Sequence, residues 1–118
     1  MKRKYKTPKQ LGLSIPHYIA LIATRDMLKN GLPKGLAYSY ACWQEKNDCG
    51  TTACIGGMIE FITGTRPREL WTGSVGIDDL FFRGFNKDGK GATERQAVKA
   101  INNVLETGKP KWDEVFRG

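Results

Sequence analysis

The chain has 118 residues, 40 % of them hydrophobic and 26 % charged, which describes one globular domain and excludes a disordered chain. At this size roughly two-thirds of the unfolded surface is buried on folding, so no disulfide or metal is needed as a staple. The formal charge is +7, and it is unevenly placed. Five of the 19 Lys and Arg residues, Lys2, Arg3, Lys4, Lys6 and Lys9, fall in the first ten positions with no acid among them, leaving 14 basic against 12 acidic residues elsewhere. Residues 1–13 therefore read as a basic N-terminal arm and 14–118 as a single helical domain.

In chain order, the first helix is predicted over about 16–30, capped by Ser14 and opened by Pro16. Ile15, Ile19, Ile22 and Ala23 mark its apolar stripe, Leu21 and Leu28 widen it so that the helix reads as well buried, and Asn30–Gly31 followed by Pro33 ends it. Residues 32–48 fit two periods. Leu36, Tyr40 and Trp43 suit a helical face, while Tyr38, Tyr40 and Cys42 suit the alternation of a strand. A second helix is expected over 51–63, with Asp48 or Thr51 as cap, a stripe of Ile55, Met58, Ile59 and Ile62, and Gly64 as its stop. Gly56 and Gly57 inside it imply a closely crossing neighbour, and the aromatic segment around Tyr40 and Trp43 is the nearest candidate. Residues 65–76 read as a loop, and Ile77, Leu80 and Phe81 as one or two helical turns. A glycine- and lysine-rich loop spans 83–92. The third long helix follows over 93–107, opened by a Thr93/Gln96 capping box and closed by Gly108 and Pro110. Trp112, Val115 and Phe116 form a last short turn that docks on the core. The expected fold class is mainly α, a compact single domain with three principal helices, short extra helical turns, long ordered loops and little or no sheet.

The chemistry-bearing stretch is Cys49-Gly50-Thr51-Thr52-Ala53-Cys54. Read as a helix start, it offers unpaired N–H groups, an uncluttered Gly50 and the hydroxyls of Thr51 and Thr52, an arrangement able to hold a phosphate or carboxylate. The plainer reading is that the same residues cap and pack the helix. A thiol at such a position has a lowered pKa, so Cys49 is the candidate nucleophile of a thiol enzyme with His17 as base. The string loosely resembles the Cys-Gly-Ser-Cys stretch of papain-like proteases, but the histidine lies upstream and there is no long β-rich half to carry a partner for it. Zinc would need Cys42, Cys49, Cys54 and His17, whose spacing lacks the paired C-x2-C knuckles of zinc sites. No metal and no cofactor are expected. Three cysteines without a following signal-peptide core suit reduced thiols, so a cytoplasmic location is expected. Gly84 to Lys90 matches the opening of a P-loop but is followed by Gly91 rather than Ser or Thr, and a calcium loop fails at Arg95. A plain turn remains, bearing Arg83, Lys87 and Lys90 as a second basic patch. The longest apolar stretch, Ile55 to Ile62, carries Glu60 and two glycines and is far short of the ~20 residues of a membrane span.

The order of an aromatic segment (Tyr38 to Trp43), a Cys-Gly-Thr-x-x-Cys-x-x-Gly start (Cys49 to Gly57), Leu80-Phe81 and a final amphipathic helix (Thr93 to Leu105) resembles a family of small uncharacterised proteins of bacteria and their phages. Members run longer between the second and third features than this chain does. The resemblance implies no activity, cofactor or catalytic residue. It implies a phage or mobile-element origin, where small basic proteins often act on host machinery. The expectation is a binding or regulatory protein without catalysis. Its partner is a host nucleic acid or host protein, contacted through Lys2, Arg3, Lys4, Lys6, Lys9, Arg83, Lys87 and Lys90, or through exposed aromatics such as Trp71. The anion-binding and thiol-enzyme readings stand as alternatives.

Overall fold

The computed structural model describes residues 5–40, 44–47, 50–64 and 75–117, and these form a mainly helical globule. The described helices are α1 (Pro8–Leu11), α2 (Ile15–Asn30), α3 (Ile55–Thr63), α4 (Val75–Phe82), α5 (Glu94–Thr107) and α6 (Trp112–Arg117). A small sheet of β1 (Leu36–Tyr38), β2 (Gln44–Asn47) and β3 (Gly50–Ala53) stands between α2 and α3 in the chain.

The long helices start and stop as their end residues dictate. Ser14 accepts from the His17 N–H to open α2. Thr93 and Gln96 make both bonds of a capping box at α5, which satisfies two otherwise orphaned N–H groups. Gly64 and Gly108 close α3 and α5 with left-handed backbone, φ 73° and 88°, which only glycine adopts without strain. Helix α2 packs on α3 and α5, and α5 also supports α4 and α6. Leu21, Ile55, Met58, Ile59, Ile77, Leu80, Ile101, Val104 and Leu105 make up the fully buried centre. The turns read at Ile77–Phe81 and Trp112–Phe116 are the real helices α4 and α6, both with apolar side chains in the core.

Three readings of the sequence need correction. The stripe of α2 that faces the core is His17, Ala20, Leu21, Thr24 and Leu28, whereas Ile15 and Ile19 are 66 % and 60 % exposed. The isoleucines and the buried set both recur at helical spacing, and the position of the neighbouring helices decides between them. Helix α3 begins at Ile55 rather than 51. Asp48 lies outside the described residues, and Thr51 does not cap it: the cap is Cys54, whose Sγ accepts from the Gly57 N–H at 3.4 Å. Gly50 to Ala53 are the central strand instead, paired in parallel with β1 (Leu36 opposite Thr51) and antiparallel with β2 (Asn47 opposite Gly50). The β-branched Thr51 and Thr52 suit this extended backbone. Of the alternating set Tyr38, Tyr40 and Cys42, Tyr38 lies in strand β1, Tyr40 follows it in a turn, and Cys42 lies outside the described residues.

The N-terminal segment is docked from Tyr5 onward. Thr7 and Gln10 form a capping box on α1, and Leu11 and Leu13 are buried in the core. The Lys6 N–H donates to the Leu105 carbonyl at 2.6 Å, and the Tyr18 hydroxyl donates to the Lys6 carbonyl at 2.8 Å. Arg25 on α2 donates to the Tyr5 hydroxyl at 2.7 Å and to Asn102 Oδ1 at 3.0 Å. One guanidinium thus ties the segment to both long helices. Of the basic stretch read as an arm, residues 5–13 belong to the body of the domain.

Candidate nucleic-acid interface

The glycine- and lysine-rich loop is a closed hairpin. Phe85 bridges to Gly91 in antiparallel fashion, and Gly89 turns the chain with φ 78°. Asn86 organises the turn: its Oδ1 accepts from the N–H groups of Asp88 and Lys90 at 2.9 and 3.0 Å. Its own N–H donates to the Lys90 carbonyl, and its carbonyl accepts from Gly89. A phosphate cradle needs those N–H groups free. The loop therefore presents charge through Lys87 and Lys90, both exposed, and not through its backbone.

The hairpin rests on an aromatic node. Tyr40 is buried; its hydroxyl donates to the Leu80 carbonyl at 2.7 Å and accepts from the Gly84 N–H at 2.8 Å. Its ring meets Phe85 and Trp112 edge-on at 5.2 and 5.6 Å, and Trp112 stacks on Phe116 at 5.4 Å. The Trp112 indole N–H donates to the Asp79 carbonyl at 2.7 Å. Tyr38 donates to the Ala92 carbonyl on the other side of the hairpin. Burial pushes the Tyr38 and Tyr40 phenols well above their ordinary range, the Gly84 N–H opposing the shift at Tyr40. Both stay protonated and act as hydrogen-bonding struts.

Two clefts flank α6 beside this node. One, of about 710 Å³, is lined by Asp79, Arg83, Lys109, Lys111 and Arg117 among others. The second, of about 860 Å³, lies between the hairpin and α6 and is lined by Phe85, Lys87, Asp88, Asp113, Phe116 and Arg117. Arg117 and Asp113 line both, so the clefts adjoin. Lys6 lies over the end of α5, where a Cβ at Gly108 would meet its Cδ and Cε at 3.6 Å, and Lys109 follows directly. A band of cations thus runs from Lys6 through Lys109, Lys111 and Arg83 to Arg117 and Lys87. Acids interrupt it: Asp79 pairs with Arg83 at 3.4 Å across a helical turn, and Asp88, Asp113 and Glu114 line the clefts.

The sequence-predicted residues fall as follows. Lys6, Lys9, Arg83, Lys87 and Lys90 are present at the surface, with Lys6 half-buried. Lys2, Arg3, Lys4, Cys42, Cys49, Trp43 and Trp71 lie outside the described residues. Gly50, Thr51 and Thr52 lie in a strand, with Thr51 and Thr52 paired on both sides and Gly50 paired with Asn47, so the helix start on which the anion-binding alternative rested is four residues further on, at a buried cap. His17, the alternative base, is 0 % exposed. Its ring is part of the core, out of reach of a dissolved substrate. No group of His, Cys, Asp and Glu able to hold a metal occurs among the described residues, and no helix among them is long and apolar enough to cross a membrane. Sequence reasoning missed Lys109, Lys111 and Arg117 as members of the basic band, and Phe85 as an exposed ring. The signal was a Lys-Pro-Lys just past a helix stop, which becomes informative only once α6 is folded back beside the hairpin. No protein-family model matches this chain, and no curated protein or solved structure matches it.

Proposed function

We propose that this protein is a small non-catalytic binding module, of phage or mobile-element origin, that acts on host nucleic acid. The observation that supports this most directly is the juxtaposition along two adjoining clefts of cations from two distant segments, Arg83 with Lys87 and Lys109 to Arg117, with Lys6 beside Gly108 just before Lys109. Lys2, Arg3 and Lys4 add charge immediately before the docked Tyr5. Such a band attracts a phosphate backbone and releases its counterions, so affinity falls as salt rises. Binding of labelled duplex and single-stranded oligonucleotides over a salt series tests the reading. Replacing Lys2, Arg3, Lys4 and Lys9 by Gln weakens binding and flattens the salt dependence, by ~0.7–0.9 in slope for each phosphate that is no longer neutralised. Substitution is the right tool, because deleting residues 2–9 would remove the Tyr5 and Lys6 contacts and unfold the edge of the domain. Absence of binding at low salt ends the nucleic-acid reading. A host protein is then the partner, and the solvent-facing Ile15 and Ile19 on α2 are the surface that favours it, since exposed apolar side chains grouped on one helix face mark protein contacts.

A further inference from the structure

The second cleft holds more than phosphate-binding charge. Its walls carry a phenyl ring on each side, Phe85 from the hairpin and Phe116 from α6, with Lys87 and Arg117 beside them and Asp88 and Asp113 completing the lining. The two rings are the ends of one aromatic row, Phe85–Tyr40–Trp112–Phe116. Tyr40 and Trp112 fill the interior beneath it, which leaves Phe85 41 % exposed at the mouth. The cleft, of about 860 Å³, is open to solvent rather than enclosed, so a base still attached to its chain can enter it.

A site for phosphate alone has no use for carboxylates, which repel it. An unpaired nucleobase uses all three kinds of group. Aromatic rings stack on its faces, cations hold the flanking phosphates, and carboxylates accept from exocyclic amino groups. A base paired inside a duplex has both faces stacked on its neighbours and cannot reach the rings. We infer that the cleft between the hairpin and α6 takes an unpaired base, so that the protein prefers single-stranded to double-stranded nucleic acid. This rests on the nucleic-acid reading above and specifies its substrate.

The test compares three probes of equal length: a mixed-sequence single strand, a single strand carrying abasic sites throughout, which has the same phosphate count, and the duplex, which has twice as many phosphates. The wild-type protein binds the intact single strand at least five-fold more tightly than the abasic strand, the smallest effect expected of one stacked base, which contributes roughly 5- to 150-fold, and it binds the intact single strand more tightly than the duplex despite the duplex's greater charge. Phe85→Leu keeps the apolar volume but removes the ring, and it abolishes that preference while binding to the abasic strand persists. Phe85→Tyr retains the preference. Equal affinity for intact and abasic strands overturns the inference and leaves the nucleic-acid reading standing. So does a Phe85→Leu protein that melts like wild type yet keeps its preference. Failure to bind any of the three at low salt removes both. The wild-type comparison of intact and abasic strands decides the matter even where a variant does not fold.

Discussion

The helix caps and the Tyr40 node hold this molecule together in opposite ways. Each cap is local: Thr93 and Gln96 bond to one another across three residues, as Thr7 and Gln10 do, and nothing else depends on them. The Tyr40 node is assembled from residues 40, 80, 84, 85 and 112, whose association closes long loops. One phenol there satisfies a carbonyl and an N–H at once. Losing one of these two exposed caps removes weak bonds at the surface, where water replaces them. Losing a member of the node leaves buried polar groups without partners or forces rings apart, and the penalty is larger. Long-range closures thus concentrate the specificity of the fold, while caps add small separable increments.

The sharpest way to break this contrast is Gly84→Ala. A Cβ at position 84 would sit 2.6 Å from both the Trp112 and Tyr40 rings. Neither ring can yield, since each is held by its neighbours. Overpacking of this kind costs about 1–3 kcal/mol or more, which in a domain of this size lowers Tm by roughly 4 °C per kcal/mol. Denaturant titration measures it. A change below the scale of a lost cap would mean that the node is loosely packed and the contrast with the caps is wrong.

The node also sets a limit at high pH. An unfolded tyrosine ionises at about pH 10, while Tyr38 and Tyr40 hold their protons to higher pH because burial disfavours the phenolates. Above about pH 10 the unfolded chain therefore binds fewer protons than the folded one, and stability falls as pH rises. The contribution is fully present below pH 10 and is lost through the folded values above it. Two such groups give a slope of up to about 2.7 kcal/mol per pH unit. Tyr40→Phe, which costs about 1–3 kcal/mol at neutral pH by stranding the Leu80 carbonyl and the Gly84 N–H, halves that slope. Melting curves between pH 7 and 11 show it, and an unchanged slope in the variant would assign the alkaline loss to other groups.

How far the sequence reveals these features follows from the same distinction. Helices α2 and α5 are legible because their signals are local: Ser14, Thr93/Gln96, Gly108 and the apolar recurrence between them. The short strands are not, since β1 and β3 of three and four residues are stabilised by pairing across a gap in sequence, and Gly-Thr-Thr-Ala carries no turn signal distinguishing a strand from a capped helix start. The exposed isoleucines of α2 show the same thing for burial, because two faces of one helix carried apolar residues and the neighbours chose the other. At the candidate interface, Lys87, Lys90 and Arg83 could be read as a basic loop. Their companionship with Lys109, Lys111 and Arg117 could not, because it depends on α6 folding back beside the hairpin.

The smallest expected effect compares caps of different chemistry. Thr93 caps α5 at an exposed site with oxygen, and Thr93→Ala costs about 0.5–2 kcal/mol. Cys54 caps α3 at a site only 3 % exposed, with a sulfur acceptor 3.4 Å from the Gly57 N–H. Sulfur is a weak acceptor but a good buried neighbour. A buried cysteine inside a helix stripe would lose about 1–3 kcal/mol on replacement by serine, because the hydroxyl has no arranged partner. At the cap it has one. Cys54→Ser places a stronger acceptor against the same N–H, and the cap gain offsets the hydroxyl's desolvation to leave stability within about 0.5 kcal/mol of wild type, while Cys54→Ala loses the cap and falls by about 0.5–2 kcal/mol. Thermal melts of the three variants check the order. If serine at position 54 proved as damaging as alanine, the sulfur would be there for packing alone, and the start of α3 would be held by the sheet that precedes it instead of by its cap.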